Sequence, residues 1–274
     1  MNFFNALMSY SFLQYAVTAS LLAAVSCGIS GTYVYINRIT FIAGGIAHAV
    51  LGGVGAAVYL GFSPFTGALV TALAFAVILG IIKFKASAHE DTIIGALWAC
   101  GMSAGIIFIY LTPGYAVNLN SYLFGNILLV SKDDLTMLAI LASAVLVISA
   151  VFHRQFAAVS FDEEFARLRG VKSQIIYIIL LAMIALTVVV LMKVVGLILV
   201  IAFLSLPSAA SAVFFRKISS ISAFSMLLSF IFSIAGLAFS YKYDLPTGAS
   251  ITLVAGAFYI ISIIAGRYHG KILK

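Results

Sequence analysis

A single histidine stands in the middle of an apolar run that is long enough to cross a membrane. In the stretch FIAGGIAHAVLGGVGAAVYLG, residues 41–61, every position but His48 is apolar or small. An imidazole can bind a transition metal, carry a proton or hydrogen-bond to another helix. Because an ionisable side chain is costly at membrane depth, we predict that His48 has a function.

Glycines surround this histidine at helical spacing. Gly44 and Gly45 come about one turn before His48, and Gly52 follows about one turn after it, so all lie on one broad face. Glycines let another helix or an aqueous path approach closely. We therefore predict that His48, with Gly44, Gly45 and Gly52 on its face, points toward a pore or another helix and not toward lipid. The alternative is that His48 is a hydrogen-bonding group that fixes helix packing, and a lone histidine is not a zinc site, which needs three or four ligands.

A second segment, SFDEEFARLRGV, combines charges and apolar residues at helical spacing. Its candidate contact residues are Phe161, Asp162, Glu163, Glu164, Phe165, Arg167, Leu168, Arg169 and Gly170. Acids at the start and cations at the end complement a helix dipole, and a glycine can close the helix. The segment therefore predicts a short amphipathic helix, either as a docking element or as a solvated surface helix without a partner.

The third feature is a proline inside the apolar run VVGLILVIAFLSLPSAASA. Pro207 removes one backbone N–H from the hydrogen-bond ladder of that span. We predict a helix kink at Pro207, of a kind that membrane helices tolerate.

The elements that position these residues are transmembrane helices. Of the 274 residues, 64% are hydrophobic and only 8% are charged, which is far outside the range of a soluble domain. The chain has no short alternating segments of the kind that a β-barrel needs. It is predicted to be an all-α polytopic bundle, a single transmembrane domain over residues 1–274. Cys27 and Cys100 lie in apolar runs and are predicted to be buried thiols.

Nine spans are predicted from the lengths of the apolar runs. They cover about 11–36, 40–60, 64–83, 92–112, 134–152, 174–192, 195–214, 221–240 and 247–265. The segment 118–130 is too short to cross and is predicted to be re-entrant or interfacial. A tight hairpin is predicted at MKVVG, next to Lys193, because one helix through that region would exceed any bilayer.

The basic residues orient the chain, because cytoplasmic loops collect Lys and Arg. With the N-terminus outside and the C-terminus in the cytoplasm, all basic residues fall inside except Lys132, Lys193 and Lys242. The polar insertion at about 154–174 is then cytoplasmic, where it could contact a soluble partner. The net charge of +7 therefore belongs to loops between spans and does not indicate nucleic-acid binding.

The sequence contains no motif for ATP hydrolysis. It has no G-x-x-x-x-G-K-[ST] phosphate loop and no set of residues for metal-dependent or serine hydrolysis. If transport is driven by ATP, the ATPase is another chain. An ion-coupled secondary carrier or channel that works alone is the alternative. It is disfavoured because carriers usually place acidic or paired ionisable groups at the membrane midplane.

Taken in order, these segments resemble the permease subunits of metal-ion ABC transporters, which take up zinc, manganese or iron. EDTIIGALW, LNSYLFGNIL and LPTGASITLVAG are also similar to that family, so the resemblance covers nearly the whole chain. It implies a type II importer permease in a bacterial or archaeal cell membrane. A related ABC permease for a metal chelate shares the architecture, but the histidine in the second span fits the metal-ion family better.

The resemblance also implies partners. The permease would form a homodimer in membrane lipid, with cytoplasmic ATPase subunits and an extracytoplasmic metal-binding protein. Phe161–Gly170 resembles the coupling helix that docks on the ATPase. No covalently bound cofactor is implied: the divalent metal ion is the transported substrate, and ATP binds only to the partner.

The sequence departs from the family at one position. Many members have an Asp four residues before the histidine of the second span, and this chain has Gly44 there. An Asp at that spacing would share a helix face with His48 and add a carboxylate ligand. Either His48 acts with other groups or the path coordinates metal weakly. Asn118, Asn120 and Asn126 are possible sources of amide oxygens.

Overall fold

The computed structural model describes residues 7–85, 90–113, 125 and 127–272, with the backbone alone for residues 90 and 267–272. This part of the chain forms the following α-helices: α1 (Ser11–Ile36), α2 (Thr40–Tyr59), α3 (Pro64–Lys85), α4 (Glu90–Leu111), α5 (Lys132–Phe161), α6 (Glu163–Leu168), α7 (Ser173–Val195), α8 (Leu197–Phe214), α9 (Ile218–Tyr243) and α10 (Thr247–Ile272). Within these residues, all except α6 are long and apolar enough to cross a membrane, which gives nine candidate spans. The prediction of an all-helical bundle with nine spans is confirmed.

Glycine and proline mark the boundaries between several helices. Gly61, with φ +75°, ends the turn after α2, and α3 then begins at Pro64, where a missing N–H costs no helical hydrogen bond. The two helices predicted on either side of Lys193 are both present. A single residue, Gly196, separates α7 from α8 with φ 84° and ψ 158°, a backbone conformation that favours glycine.

Helix α5 is longer than the sequence predicted. We expected a span over 134–152 followed by a polar insertion, whereas the helix continues without a break to Phe161. It begins with a capping box in which Ser131 and Asp134 exchange hydrogen bonds. At 1.5 Å per residue the 30-residue helix is about 45 Å long, which exceeds a bilayer core of about 30 Å. The helix is therefore longer than a single crossing requires.

Helix α7 lies at the centre of the bundle and contacts α1, α2, α3, α5 and α8. Tyr177, Leu180, Leu181, Ile184 and Leu191 along it are almost completely buried. A hydrogen bond of 2.9 Å between the hydroxyl groups of Ser30 and Thr187 joins it to α1. The most buried spans are α2 and α7, and the least buried is α4, which packs mainly on α2.

The predicted re-entrant segment is described only in part. Residues 118–124 and 126, which include Asn118, Asn120 and Asn126, lie outside the described residues. Gly125 packs so closely on the break at Gly196 that a Cβ there would overlap the backbone of Val195 and Gly196. A turn of 3₁₀-helix, Ile127–Leu129, follows and contacts α1, with Ile127 buried. The end of this segment thus covers the α7–α8 junction.

Candidate functional site

Helices α2 and α4 approach each other through glycines on both sides. A Cβ on Gly52 would lie 2.7 Å from the carbonyl oxygen of Gly101, and a Cβ on Gly101 would lie 2.8 Å from the Cα of Ala49. One turn further on, Gly55 and Gly105 are in still closer contact. Neither helix could carry a larger side chain at these points without moving its partner. This is the small-residue packing that membrane helices use.

His48 lies inside this contact and stacks on Trp98 of α4. The ring centroids are 4.2 Å apart and the ring planes differ by 11°. Gly45 packs one turn below, where a Cβ would lie 2.7 Å from the Cγ2 of Ile94. The His48 side chain is half-buried, and its Nδ1 atom is buried without a hydrogen-bond partner among the described residues. The contact of His48 with α4 is therefore a ring stack, which leaves the buried Nδ1 without a hydrogen bond.

Gly44 faces a different environment from Gly45 and Gly52. A Cβ on Gly44 would meet no atom within 4 Å, whereas Gly45 and Gly52 contact α4. The structure thus separates the three glycines that the sequence placed on one broad face. Gly45 and Gly52 bring α4 close to His48, and Gly44 borders open space one turn before the imidazole. Position 44 could therefore hold a larger side chain without moving α4.

Trp98 is the site residue that the sequence analysis missed. It was noted only as the last residue of EDTIIGALW, although it is the single tryptophan of the chain and lies within an apolar run. Its indole N–H donates a hydrogen bond of 3.1 Å to the Sδ of Met102, and Phe41 packs on its ring at 5.9 Å. The indole is thus held by two neighbours in addition to His48.

The described side chains do not form a conventional metal centre. No cluster of three or more His, Cys, Asp or Glu residues occurs among them. Cys100, which we predicted to be buried, is exposed on the outer face of α4, while Cys27 is buried as predicted. The chemistry available beside α2 is thus one imidazole with a free nitrogen and an open space at Gly44. Such a site suits transient contact better than permanent binding, since an ion that is held too tightly would not be released.

The short amphipathic helix predicted at Phe161–Gly170 is present but shorter than predicted. It is α6, Glu163–Leu168, and Phe161 belongs to α5 instead, because the backbone leaves the helical conformation at Asp162. The Asp162 carboxylate accepts a hydrogen bond of 2.9 Å from the N–H of Phe165 and so caps α6. At the other end, Gly170 has φ +83°, and the N–H of Val171 bonds the carbonyl of Ala166. This Schellman motif closes the helix as the glycine predicted.

The outer face of α6 is apolar and solvent-exposed. The exposed fraction is 73% for Phe161, 53% for Phe165 and 86% for Leu168. Ala166 alone is buried beneath them. The exposed charged residues around this face are Asp162, Glu164, Arg167 and Arg169. The Arg169 guanidinium lies 5.1 Å from the centre of the Phe165 ring. Glu163 is half-buried. The face has the composition of a docking surface, with apolar anchors and a charged rim.

Side-chain hydrogen bonds tie the extension of α5, which leads into α6, to the end of α1. The amide nitrogen of Asn37 donates to the hydroxyl of Ser160 at 2.9 Å. The Tyr33 hydroxyl and the Nδ1 of His153 are 3.1 Å apart. A displacement of α6 would therefore be transmitted to α1 as well as to α5.

Pro207 is buried within α8, which continues through it from Leu197 to Phe214. The hydroxyl of Ser211 donates to the carbonyl of Pro207 at 2.7 Å, and Ser205 donates to the carbonyl of Ile201 at 2.8 Å. Both bonds run from a serine hydroxyl to the carbonyl four residues earlier in the same helix. The helix continues through Pro207 without a break, and the predicted kink stays a prediction.

Comparisons with known proteins place the whole chain in one group. The model of the ABC 3 transport family matches residues 9–266. A probable metal transport system membrane protein of Chlamydia pneumoniae is 38% identical over 92% of this chain and 88% of its own length. The manganese transport system membrane protein MntC of Halalkalibacterium halodurans is 33% identical over 99% of this chain and 93% of its own length. The solved structure of PsaBC from Streptococcus pneumoniae in complex with Fab is similar, with a TM-score of 0.84 and 30% identity over 95% of this chain and 94% of that one.

Proposed function

The chain belongs to the ABC 3 transport family, and from this premise we propose that it is the membrane permease subunit of an ATP-driven importer for a divalent transition metal. The observation that carries the proposal is the match of the family over residues 9–266, which includes His48 and α6. Membership of this family confirms the resemblance found in the sequence. It also argues against a carrier that works without an ATPase.

The relatives narrow the choice of substrate. Several are named for manganese or metal transport, so manganese is the first cation to test, with zinc and iron beside it. An imidazole suits zinc and iron, and oxygen ligands suit manganese. With one imidazole, that of His48, on α2 and no carboxylate at position 44, the path would contact the ion weakly. Selection among metals would then belong mainly to an extracytoplasmic binding protein.

ATP hydrolysis belongs to separate cytoplasmic subunits in this proposal. The exposed face formed by Phe165 and Leu168 of α6, with Phe161 at the end of α5, would dock on the ATPase. The hydrogen bonds from Ser160 and His153 to α1 would carry the movement into the bundle. The permease would lie in the cell membrane with its N-terminus outside and its C-terminus in the cytoplasm.

A second copy of the chain would complete the path, and α4 is the face that supports this part of the proposal. Helix α4 is the least buried span; its exposed positions toward the end, Ile106, Ile107 and Tyr110, are large, whereas those from Thr92 to Ser103 are small or weakly polar: Thr92, Ala96, Ala99, Cys100 and Ser103. Such residues favour helix contacts over contact with lipid. Cys100 lies among them, so an oxidant or a short thiol cross-linker should join two copies at Cys100. The Cys100→Ser variant is the control, and a wild-type chain that stays monomeric in membranes would contradict this interface.

The function itself is tested by reconstitution. The chain and its ATPase are placed in proteoliposomes, and uptake of manganese, zinc or iron is measured with and without ATP. We expect uptake that requires both chains and ATP, and that is greatest when the metal-loaded binding protein is present. Uptake that persists without the ATPase would favour a carrier, and the absence of uptake for all three metals would contradict the proposal.

A further inference from the structure

We propose that Trp98 is a positioning residue for the transported cation: it fixes the ring plane of His48 and stabilises the imidazole while a cation is bound to it. This inference rests on the proposed function. It adds a residue of α4 to a site that the sequence assigned to α2 alone.

The first support is the rigidity of the stack. His48 and Trp98 lie at 4.2 Å with nearly parallel planes. On one side of this pair Gly52 contacts Gly101, and on the other Gly45 contacts Ile94, so the two helices are closely packed on both sides of the stack. The indole N–H is already bonded to Met102, and Phe41 packs on the ring. Trp98 thus offers His48 its π face and no hydrogen bond.

The second support is the state of the imidazole nitrogen atoms. Nδ1 is buried, and none of the described residues bonds to it. A histidine whose role was only packing would be expected to use a buried nitrogen in a hydrogen bond. The stack holds the ring but leaves this nitrogen unsatisfied. A cation or its coordinated water that reaches Nδ1 would supply the missing partner.

The third support is electrostatic. When a cation binds to an imidazole nitrogen, the ring becomes positively polarised. The face of an indole carries the negative part of its quadrupole, and it attracts positive charge within about 6 Å of the ring centroid. The stack at 4.2 Å is inside that range. Trp98 therefore stabilises the cation-bound imidazole more than the free one, which an aliphatic side chain of similar size would not do.

A transport assay with matched variants tests the role of the π face. We expect Trp98→Leu to raise the KM for metal by about tenfold, as the strength of a cation–π contact implies. Trp98→Phe keeps an aromatic face, so its KM should stay within about threefold of the wild-type value. Phe108→Leu is the control. It removes another aromatic contact between α2 and α4, in which Tyr59 and Phe108 are 5.6 Å apart, without touching His48. If Trp98→Leu and Phe108→Leu change the KM equally, Trp98 acts only through helix packing and the proposal is wrong.

The intrinsic fluorescence of the chain gives a readout that does not depend on transport. Trp98 is the only tryptophan, so emission from the purified full-length chain in lipid nanodiscs reports on this stack. Titration with Zn²⁺ should change the emission saturably, Mg²⁺ should not, and His48→Gln should abolish the change. An emission that Zn²⁺ leaves unchanged would overturn the proposal even if Trp98→Leu fails to fold. If the wild-type protein transports metal but its emission does not respond to Zn²⁺, this inference alone is contradicted. If the wild-type protein does not transport metal, the proposed function is contradicted.

Discussion

The Nζ of Lys193 lies 2.8 Å from the Oδ1 of Asp134, and this ion pair joins the end of α7 to the start of α5. The same Nζ lies 5.6 Å from the centre of the Phe65 ring at the start of α3. Three helix ends therefore meet at one face of the membrane. Lys193 is one of the three basic residues that the predicted topology places outside. Asp134 and Phe65 lie on the same side of the membrane in that topology.

The orientation of the chain is the first prediction. Lys242 and Lys217 are both exposed and lie at opposite ends of α9. In a Cys100→Ser background, Lys242→Cys should react with a membrane-impermeant maleimide in intact cells, whereas Lys217→Cys should react only after permeabilisation, because cytoplasmic loops collect basic residues. Lys193 is a poor labelling site, since its replacement would remove the ion pair. Labelling at position 217 in intact cells would reverse the topology.

The second prediction contrasts two glycines that are eight positions apart on α2. Gly44→Ala should be neutral or stabilising by about 0.5–1 kcal/mol, because its Cβ meets open space and glycine is unfavourable inside a helix. Gly52→Ala should destabilise by about 1–3 kcal/mol, because its Cβ would press on the backbone of Gly101. Thermal unfolding of both variants in the same detergent measures the difference. Equal melting temperatures would contradict the close contact between α2 and α4.

The third prediction concerns the exposed face of α6. Phe165→Ala and Leu168→Ala should each weaken binding to the ATPase, and loss of an anchor residue at such a contact costs on the order of 2 kcal/mol, or about 30-fold in affinity. Because both side chains are exposed, the folding of the permease should not change. Binding is measured by co-purification and by stimulation of ATP hydrolysis.

Ile140→Ala is the matched control for these variants. Ile140 is 66% exposed, like the α6 anchors, but it lies toward the opposite end of α5. We expect it to leave ATPase binding unchanged. If Phe165→Ala and Ile140→Ala behave alike, α6 is a solvated surface helix, which was the alternative left open by the sequence.

The features that the sequence predicted well depend on residues that are close together in the chain. The spans follow from the lengths of apolar runs, and the break at Gly196 follows from the impossible length of a single helix. The end of α6 follows from Gly170, which closes it, whereas its start was predicted too early, because Asp162 caps the helix and leaves Phe161 in α5. In each case the residues that fix the structure are neighbours in the chain.

The features that the sequence missed depend on contacts between distant segments. The stack of His48 on Trp98 joins residues of two helices that are separated by α3, and no periodicity within one helix reveals its partner. The exposure of Cys100 has the same origin, because lipid-facing and core-facing positions of a membrane helix are both apolar. The length of α5 was missed because charged residues ended the apolar run while the helix continued to Phe161.

The last prediction separates the two roles proposed for His48. His48→Ala should abolish or sharply reduce metal accumulation, because it removes both the ring stack and the free nitrogen. His48→Gln keeps a polar side chain that can hydrogen-bond, but an amide is a poor ligand for a transition metal. If His48 contacts the passing cation, the Gln variant should fail like the Ala variant while the protein still assembles with its ATPase. Metal uptake and ATPase stimulation, measured on the same proteoliposomes, distinguish lost transport from lost assembly. Normal uptake by His48→Gln would show that this histidine fixes helix packing and does not contact the ion.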